Sequence, residues 1–443
     1  MVEVPGSSPV VPTTASVRKF GAVYAESMPQ NGLRLPKSEV TRLKLLGCAA
    51  QEINEVGPDR LGFTSIARRA SLSTGALYAR YENVDELLLE VWTSEGLPSL
   101  RRILADLEAS MAEETAKSAR RRIADALAEP NAELLLLVNL LVSSRRNEAV
   151  YEEVAPMILE EVTRFSTRTP AIDFLLAQVV GIAMGVAGTG LSGLDWYGPI
   201  AMASSAARDA RTEYVIPADA EKFPESIHFP MDVEEIDMRL FDAVAYVIAR
   251  VGAAQATISR IARRAKVNPA SIYMRYEDKD SLFAACMSFV MKMGIARNAS
   301  LLSGYQGTIQ NLTTINHKSE MVVMFRGNQS PEHQSIRQLR VETMFASMHD
   351  ENLRCMNQEI YFETLRENEE FLKVPKGALT NPVVLPYAIS NRFGFFGYAM
   401  LNEYGLCGMN HPYLINFMEN LSHRLRVMGQ GSEVDLSSPA NKK

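Results

Sequence analysis

The sequence predicts an all-α protein made of two fused units that share one design. Apolar residues recur at helical spacing through most of the 443 residues, and no sustained alternation of the kind that strands need is present. A stretch of sixteen residues also occurs twice, as IARRASLSTGALYARY over Ile66–Tyr81 and as IARRAKVNPASIYMRY over Ile261–Tyr276. The region between the copies contains Pro217, Pro224 and Pro230, which no continuous helix tolerates. It therefore indicates a linker between two helical units.

The two copies lie 195 residues apart, and eight of their sixteen residues are identical. The same offset aligns Gly57 with Gly252 and Asp85 with Asp280, so the repeat extends beyond the quoted stretch without a gap. A repeat of this length is a whole domain, not the unit of a solenoid. We therefore expect seven regions: arm 1–36, first repeated unit 37–92, first helical core 93–210, linker 211–235, second repeated unit 236–288, second helical core 289–430 and tail 431–443.

Each copy predicts two short helices joined by a four-residue turn. The turns are Ser71–Thr74 and Lys266–Pro269, and the second helices are expected over Gly75–Tyr81 and Ala270–Tyr276. A longer helical stripe precedes each pair and stops at a glycine, as helices commonly do. This order is the helix-turn-helix plan. The residues expected to pack each pair together are apolar: Ile66, Ala70, Leu72 and Leu77 in the first copy, and Ile261, Ala265, Val267 and Ile272 in the second.

Local charge departs from the charge of the whole chain. The net charge is −6, which gives no general indication of a nucleic-acid partner. However, Gly57–Tyr81 contains four basic residues and one acidic residue, and Gly252–Tyr276 contains five basic residues and none that are acidic. Basic patches confined to two places in an acidic protein predict a local nucleic-acid footprint.

At these residues the sequence resembles the TetR/AcrR family of bacterial transcriptional regulators. The shared pattern is I-A-x-x-A-x-h-S/N-x-G/A-x-h-Y-x-x-Y/F, where h is apolar, followed by an acidic, leucine-containing helix. The resemblance implies a DNA-binding headpiece on a helical core that binds a small effector, with double-stranded operator DNA as the partner. The implied DNA contacts are Thr64, Ser73, Thr74, Ala76, Tyr78 and Arg80 in the first copy, and Ser259, Asn268, Pro269, Ser271, Tyr273, Arg275 and Lys279 in the second.

The chain departs from the family pattern at two places. The family often has glycine in the turn where this chain has Ser71 and Lys266, and a non-glycine residue there costs about 1 kcal/mol if the backbone is left-handed. The family often has lysine where the first copy has Val84, whereas the second copy keeps Lys279. We therefore expect the second headpiece to bind DNA more strongly.

Two glycine-rich stretches predict tightly packed interior helices. Phe174–Leu194 is 21 residues without a charge, long enough to span a bilayer. Its five glycines, the internal Gln178 and the lack of flanking basic clusters favour a buried helix of a soluble protein instead. Tyr387–Met409 has the same small-residue character, and we expect the two helices to pack together as those of a dimer would. The four cysteines show no paired spacing, and the N-terminus lacks signal-peptide features, which predicts a cytoplasmic protein.

No catalytic, metal or cofactor motif is present in the sequence, so we expect neither an enzyme nor a cofactor. Fifteen of the 21 methionines and eleven of the 17 phenylalanines lie from Met231 onward, which places an adaptable apolar effector pocket in the second core. Its expected lining residues are Met321, Met324, Phe325, Met344, Phe345, Met348, Phe362, Phe393 and Phe396.

The function expected from the sequence is a repressor that a small hydrophobic effector releases from DNA. One chain supplies both headpieces and is expected to act as a pseudo-dimer on an asymmetric operator, and further homodimerisation stays open. The alternative is a helical scaffold or small-molecule carrier that does not bind DNA.

Overall fold

The computed structural model describes residues 36–112, 114–166, 171–210, 233–302, 334–372 and 375–407, with Asn416, Phe417 and Asn420. The expected arm and tail and most of the expected linker lie outside these residues. Within them every long element is helical and no strand occurs, which confirms the all-α class. We describe residues 37–92 as the first headpiece and 236–288 as the second headpiece.

The first headpiece contains four α-helices and one short 3₁₀ turn. The long helix ends where the sequence predicts, because Gly57 adopts a left-handed φ of 85° and the 3₁₀ turn Pro58–Arg60 follows. Asn83 caps the fourth helix by accepting a hydrogen bond from the N–H of Glu86 at 3.0 Å. The helices are α1 Lys37–Val56, α2 Phe63–Ala70, α3 Gly75–Tyr78 and α4 Val84–Val91.

The first core continues from α4 through a wide turn at Trp92–Gly96. Trp92 is fully buried, and its indole N–H donates to the hydroxyl of Ser144 at 2.7 Å, which joins the headpiece to the core. The core helices are α5 Leu97–Met111, α6 Ala116–Ala128, α7 Ala132–Ser144, α8 Glu148–Ser166, α9 Ile172–Thr189 and α10 Tyr197–Arg208.

The second half repeats the plan of the first. Its long helix carries a left-handed Gly252 with a φ of 72°, at the position equivalent to Gly57. The last helix of the second headpiece runs without a break into the second core. The helices are α11 Glu235–Gln255, α12 Ile258–Ala265, α13 Pro269–Tyr273, α14 Lys279–Leu302, α15 Gln334–Ser347, α16 Glu351–Leu372 and α17 Leu385–Asn402.

Helices α9 and α17 form the closest contact between the two halves. A Cβ atom added at Gly181 would overlap the backbone oxygen of Phe393, and one added at Gly397 would overlap the backbone oxygen of Ala177. Gly181 lies four residues after Ala177, and Gly397 lies four residues after Phe393. The contact is therefore reciprocal, as it is across a two-fold axis. The expected packing of the two small-residue helices is confirmed.

Helix α9 is long and apolar enough to cross a membrane, and 89% of its apolar window is buried inside the protein. The pair α6 and α7, bent by 72°, passes the same test of length and composition when the two helices are taken together. Burial of α9 against α17 is what the sequence predicts for an interior helix of a soluble protein. Length and composition therefore give only weak support to a membrane span.

Candidate DNA-binding interface

Both copies of the repeated stretch fold as a helix-turn-helix. In the first copy Ile66, Ala70 and Leu77 are fully buried between α2 and α3, and Leu72 is half-buried. In the second copy the equivalent residues follow the same pattern: Ile261, Ala265 and Ile272 are buried, and Val267 is half-buried. The packing predicted from the apolar residues is therefore present in both headpieces.

The second helix of each motif differs from its expected bounds. Helix α3 ends at Tyr78, three residues before the expected end at Tyr81, because the N–H groups of Arg80 and Tyr81 both bond to the carbonyl of Leu77 and form a turn. Helix α13 covers Pro269–Tyr273, so the expected Ala270–Tyr276 begins one residue late and ends three residues late. Its Pro269 occupies the first helical position, where a missing N–H is harmless.

The turn of each motif contains a left-handed residue that is not glycine. Ser71 has a φ of 52° and Lys266 a φ of 56°. In the first turn the N–H of Leu72 bonds to the carbonyl of Ala67 at 2.9 Å, and Val267 makes the equivalent bond in the second. These bonds hold a conformation that costs an L-residue about 1 kcal/mol. Both turns thus use the left-handed backbone that glycine adopts most easily, although neither turn has glycine there.

The contact residues expected in the first headpiece form one largely exposed face. Tyr78 is 66% exposed, and its ring packs edge-on against Phe63 with 5.0 Å between ring centroids. Arg80 is held by backbone, since its guanidinium donates to the carbonyls of Ala76 at 3.0 Å and Ser38 at 3.2 Å. Four of the six residues are exposed and two are half-buried: Thr64, Ser73, Thr74 and Tyr78, then Ala76 and Arg80.

The equivalent face of the second headpiece has cations that already have partners in or next to the headpiece. Arg275 makes ion pairs with Glu234 at 2.5 Å and Asp237 at 3.1 Å, and Lys279 donates to the carbonyl of Ala253 at 3.3 Å. Exposed ion pairs are weak, so a DNA phosphate can replace these partners. Five of the seven expected residues are exposed and two are half-buried: Ser259, Asn268, Pro269, Tyr273 and Arg275, then Ser271 and Lys279.

The exposed surface of the second headpiece includes Met274, which is 81% exposed beside Tyr273. The first copy has Ala79 at this position. An exposed methionine next to a recognition helix can contact the thymine methyl group or sugar. Met274 is not among the contacts that the resemblance implies. Its exposure in the folded headpiece makes it a further candidate contact.

The electrostatics of the two headpieces differ at equivalent positions. Arg69 is neutralised by ion pairs with Glu52, at 2.8 Å, and Glu55. Its equivalent, Arg264, makes no ion pair with a described residue, because the second copy has Val247 and Arg250 in the places of Glu52 and Glu55. It lies 3.9 Å from the ring centroid of Tyr246, and Asp242 is the carboxylate that interacts with it at longer range. Residues 37–92 hold seven basic and eight acidic side chains, whereas 236–288 hold eight and five. The second headpiece is therefore the more attractive to phosphate.

The two headpieces meet the second core at one cleft. Helix α15 and the start of α16 form its floor, and the C-terminal ends of α1 and α11 form its sides. A ligand or a movement in this cleft would therefore act on both headpieces at once. The lining residues are Val56, Gly57, Asp59, Arg60, Ala253, Ala254, Lys279, Asp280, Phe345, Ala346, His349, Asp350 and Leu353.

His349 connects the second core to the first headpiece within this cleft. Its Nε2 lies 2.7 Å from Oδ1 of Asn139, whose amide nitrogen donates to Oδ1 of Asn54 in the first headpiece at 3.1 Å. Because Oδ1 of Asn139 only accepts, Nε2 of His349 carries the hydrogen. Burial lowers the pKa of His349 to about 4, so the ring is neutral at physiological pH.

A buried cluster of charges joins three parts of the chain. Arg145 and Arg146, at the end of α7, both reach Glu342 of α15. Arg146 also pairs with Asp59 of the first headpiece at 2.8 Å, and Arg145 with Glu403 at 3.1 Å. Burial raises the pKa of Glu342, and the two guanidinium groups oppose this shift. A shift of α15 would therefore disturb the first headpiece through two arginines.

The expected effector residues do not all surround one space. Phe393 and Phe396 are buried close together, with 6.3 Å between ring centroids. Phe345 lines the cleft between the headpieces, and the buried Met344 faces Gly188 of α9. Met348 and Phe362 are half-buried. Met321, Met324 and Phe325 lie outside the described residues.

Comparison with protein families gives one match, and it occurs twice. The model for bacterial regulatory proteins of the tetR family matches residues 45–91 and again residues 240–286. Both matches coincide with the headpieces. A comparison with proteins of curated function gives no match. In the described residues no group of three or more His, Cys, Asp or Glu side chains is placed to hold a metal ion.

Proposed function

We propose that this TetR-family protein, whose single chain carries two TetR-type units, is a repressor that binds an asymmetric operator as a pseudo-dimer. The observation that carries the proposal is the reciprocal contact between α9 and α17, in which Gly181 meets Phe393 and Gly397 meets Ala177. An isologous contact of this kind normally joins two identical subunits. Here it joins two halves of one chain, and each half carries one headpiece.

The non-equivalence of the headpieces supports an asymmetric operator. Dimeric helix-turn-helix proteins bind two half-sites about one helical turn apart, and a palindromic operator mirrors their symmetry. In this chain the two recognition surfaces differ, since Ala79 is replaced by Met274 and Val84 by Lys279. Two unlike surfaces select two unlike half-sites.

The contacts of the second core support its role as the effector-responsive part. Helix α14 runs from the second headpiece into this core, and α15 reaches the first headpiece through Glu342 and His349. An effector that favours one arrangement of these helices would favour one spacing of the headpieces. Effector and operator would then weaken each other's binding by the same factor. The predicted effector is a small hydrophobic molecule, and the protein acts in the cytoplasm without catalysing a reaction.

Selection from a random-sequence DNA library tests the proposal. The purified full chain is incubated with the library, bound duplexes are amplified over several rounds, and the enriched duplex is footprinted. We expect protection of two half-sites of different sequence, about 10 base pairs apart on one face of the duplex. The control is a Tyr78→Ala, Tyr273→Ala double variant, which should enrich no motif. Failure of the wild-type chain to enrich any sequence would contradict DNA-specific function and would favour the carrier alternative.

A further inference from the structure

Three polar side chains from different helices of the second core lie close together, and no carboxylate of the described residues is paired with them. They are Arg340 of α15, Tyr361 of α16 and Arg392 of α17. Nε of Arg340 and Nη1 of Arg392 are buried and make no hydrogen bond within the described part of the chain. The buried hydroxyl of Tyr361 lies beside the guanidinium group of Arg340, at the margin of hydrogen-bond geometry. Both guanidinium groups are close enough to Tyr361 to oppose the rise that burial causes in its pKa. The cluster therefore holds two half-buried arginines, each with a buried nitrogen atom, and a buried hydroxyl, and all three can donate a hydrogen bond.

The nearby arginines of the first core show what a compensated arrangement looks like. The side chains of Arg145 and Arg146 are 4% and 8% exposed, and Glu342 and Glu403 are within ion-pair distance of them. Neither Arg340 nor Arg392 has a carboxylate within ion-pair distance in the described residues. Burial lowers the pKa of Arg392 to about 10, and the positive charge of Arg340 acts in the same direction. An uncompensated buried charge is costly, and the described residues supply no anion for this pair of cations.

Aromatic side chains lie beside Arg340 and Tyr361. The ring of Tyr361 lies 5.3 Å from that of Phe393, and the guanidinium carbon of Arg340 lies 5.7 Å from the ring centroid of Phe396. In such an arrangement the cation can bind the anionic group of a ligand while the aromatic rings contact its apolar part. Phe393 and Phe396 are also the two expected effector residues that the fold brings together.

The first half has no arginine at the position equivalent to Arg392. The reciprocal contact pairs Gly181 with Gly397, so the residue five positions before each glycine is equivalent: Leu176 in α9 and Arg392 in α17. Leu176 is fully buried and apolar. Because the first half has leucine at this position, the shared fold does not require an arginine there. The cation is specific to the second core.

We propose that Arg340 and Arg392 bind the carboxylate of an organic acid, with Tyr361 donating a third hydrogen bond and Phe393 and Phe396 contacting the apolar body. This assignment rests on the proposed function and narrows the effector from a hydrophobic molecule to a hydrophobic anion. Charge-assisted hydrogen bonds from arginine to a carboxylate supply both affinity and discrimination against neutral analogues. Binding would draw α15, α16 and α17 together, and α15 is the helix that contacts the first headpiece.

The test compares 1-naphthoate with 1-naphthalenemethanol, which share the ring system and differ in charge. Binding to the full chain without DNA is measured by calorimetry and by thermal shift, for the wild type and for Arg392→Leu, which introduces the residue of the first half. We expect the wild type to bind the acid and not the alcohol, and Arg392→Leu to bind the acid ~10-fold to ~100-fold more weakly. Without ligand, Arg392→Leu should melt at the same temperature as the wild type or higher, because the variant removes an uncompensated charge.

Arg145→Leu is the matched control, because it removes a buried arginine that has carboxylate partners. It should lower the melting temperature. Two results would overturn the anion site: a wild type that binds neither compound or binds the alcohol equally well, or an Arg392→Leu variant that melts lower and still binds the acid like the wild type. Operator affinity is measured separately. A chain that binds the acid but selects no DNA would overturn the proposed repressor function and leave the anion site standing.

Discussion

The two headpieces share one backbone design and differ in the surface that we propose contacts DNA. Each has a left-handed glycine after its long helix, a left-handed residue in its turn and an exposed tyrosine, Tyr78 or Tyr273, on its recognition helix. The arginine at one equivalent position is neutralised only in the first headpiece. Arg69 pairs with Glu52 and Glu55, whereas the residues equivalent to these glutamates, near Arg264, are Val247 and Arg250. The backbone design is thus repeated, whereas only some of the proposed contact positions, such as Tyr78 and Tyr273, are identical in the two copies.

This difference shows how fusion removes a constraint that identical subunits obey. In a homodimer any change to a recognition surface appears in both half-sites, so the operator stays palindromic. In one chain the two surfaces can change independently while the shared contact between the halves is kept. The packing of Gly181 against Phe393 and of Gly397 against Ala177 has to be kept in both halves, because neither position has room for a side chain.

The largest expected effect comes from breaking this symmetric contact. We expect Gly181→Leu and Gly397→Leu each to lower the free energy of unfolding by at least ~3 kcal/mol, because a side chain would overlap backbone atoms that cannot move aside. Urea unfolding followed by circular dichroism measures the loss. The control is Gly62→Leu, where an added Cβ meets no atom within 4 Å. A silent substitution at either interface glycine would show that the contact is not reciprocal.

A smaller effect is expected from the residue that ties the first headpiece to the second core. His349 has a pKa of about 4 in the folded protein and about 6.5 when unfolded. Below pH 6.5 the unfolded chain binds a proton that the folded chain does not, so stability is full above pH 6.5 and falls as the pH drops towards 4. We expect this residue to account for a loss of about 2 kcal/mol by pH 4.5.

Urea unfolding at pH 7.5 and pH 4.5 of the wild type and His349→Gln isolates this contribution. Glutamine retains a donor for Asn139 and does not titrate. The variant should therefore lose less stability than the wild type over the same pH interval. Equal losses in the two proteins would mean that protonation of His349 does not weaken the contact with the first headpiece.

Exchanging one residue between the headpieces should change DNA affinity in opposite directions. Lys279→Val gives the second headpiece the residue of the first, and we expect it to weaken operator binding by about 1.5 kcal/mol and to reduce the salt slope by about 1. Val84→Lys makes the reverse change and should strengthen binding by a similar amount. Fluorescence anisotropy over a range of salt concentrations measures both. If neither variant alters the slope, this position does not contact phosphate in either headpiece.

The smallest effect per residue is expected for the recognition-helix tyrosines. Tyr78→Phe and Tyr273→Phe each remove one hydroxyl from an exposed ring and should each weaken operator binding by about 1 kcal/mol. Tyr197→Phe, in the first core, is the control and should leave affinity unchanged. An unaltered affinity in the double variant Tyr78→Phe, Tyr273→Phe would show that neither hydroxyl bonds to DNA.

Features that depend on short-range pattern could be predicted from the sequence. Helical period, the glycine stops at Gly57 and Gly252 and the buried residues of both motifs all follow from residues close together in the chain. The packing of α9 on α17 also could be predicted, because small residues allow two helices to approach closely. Helix bounds at α3 and α13 could not, since a terminal turn depends on hydrogen bonds that propensity does not specify.

Features that depend on distant residues could not be predicted from the sequence. The bonds from Arg145 and Arg146 to Glu342 join positions nearly 200 residues apart, and neither residue type nor spacing indicates the pairing. The expected effector residues were inferred from composition alone. In the structure Phe345 lines the cleft between the headpieces, whereas Phe393 packs against Tyr361 of the proposed anion site. The arginines of that site are ordinary charged residues in the sequence. The buried, unbonded nitrogen atoms of these arginines are what indicates a binding site.

The most direct test of a one-chain pseudo-dimer is the stoichiometry of its complex with DNA. The minimal duplex that retains full affinity is mixed with the protein, and the mass of the complex is measured by native mass spectrometry while a footprint records the protected bases. We expect one chain of 49.1 kDa per duplex, with two half-sites of different sequence protected. Two chains bound to a palindromic duplex, one on each half-site, would contradict the account.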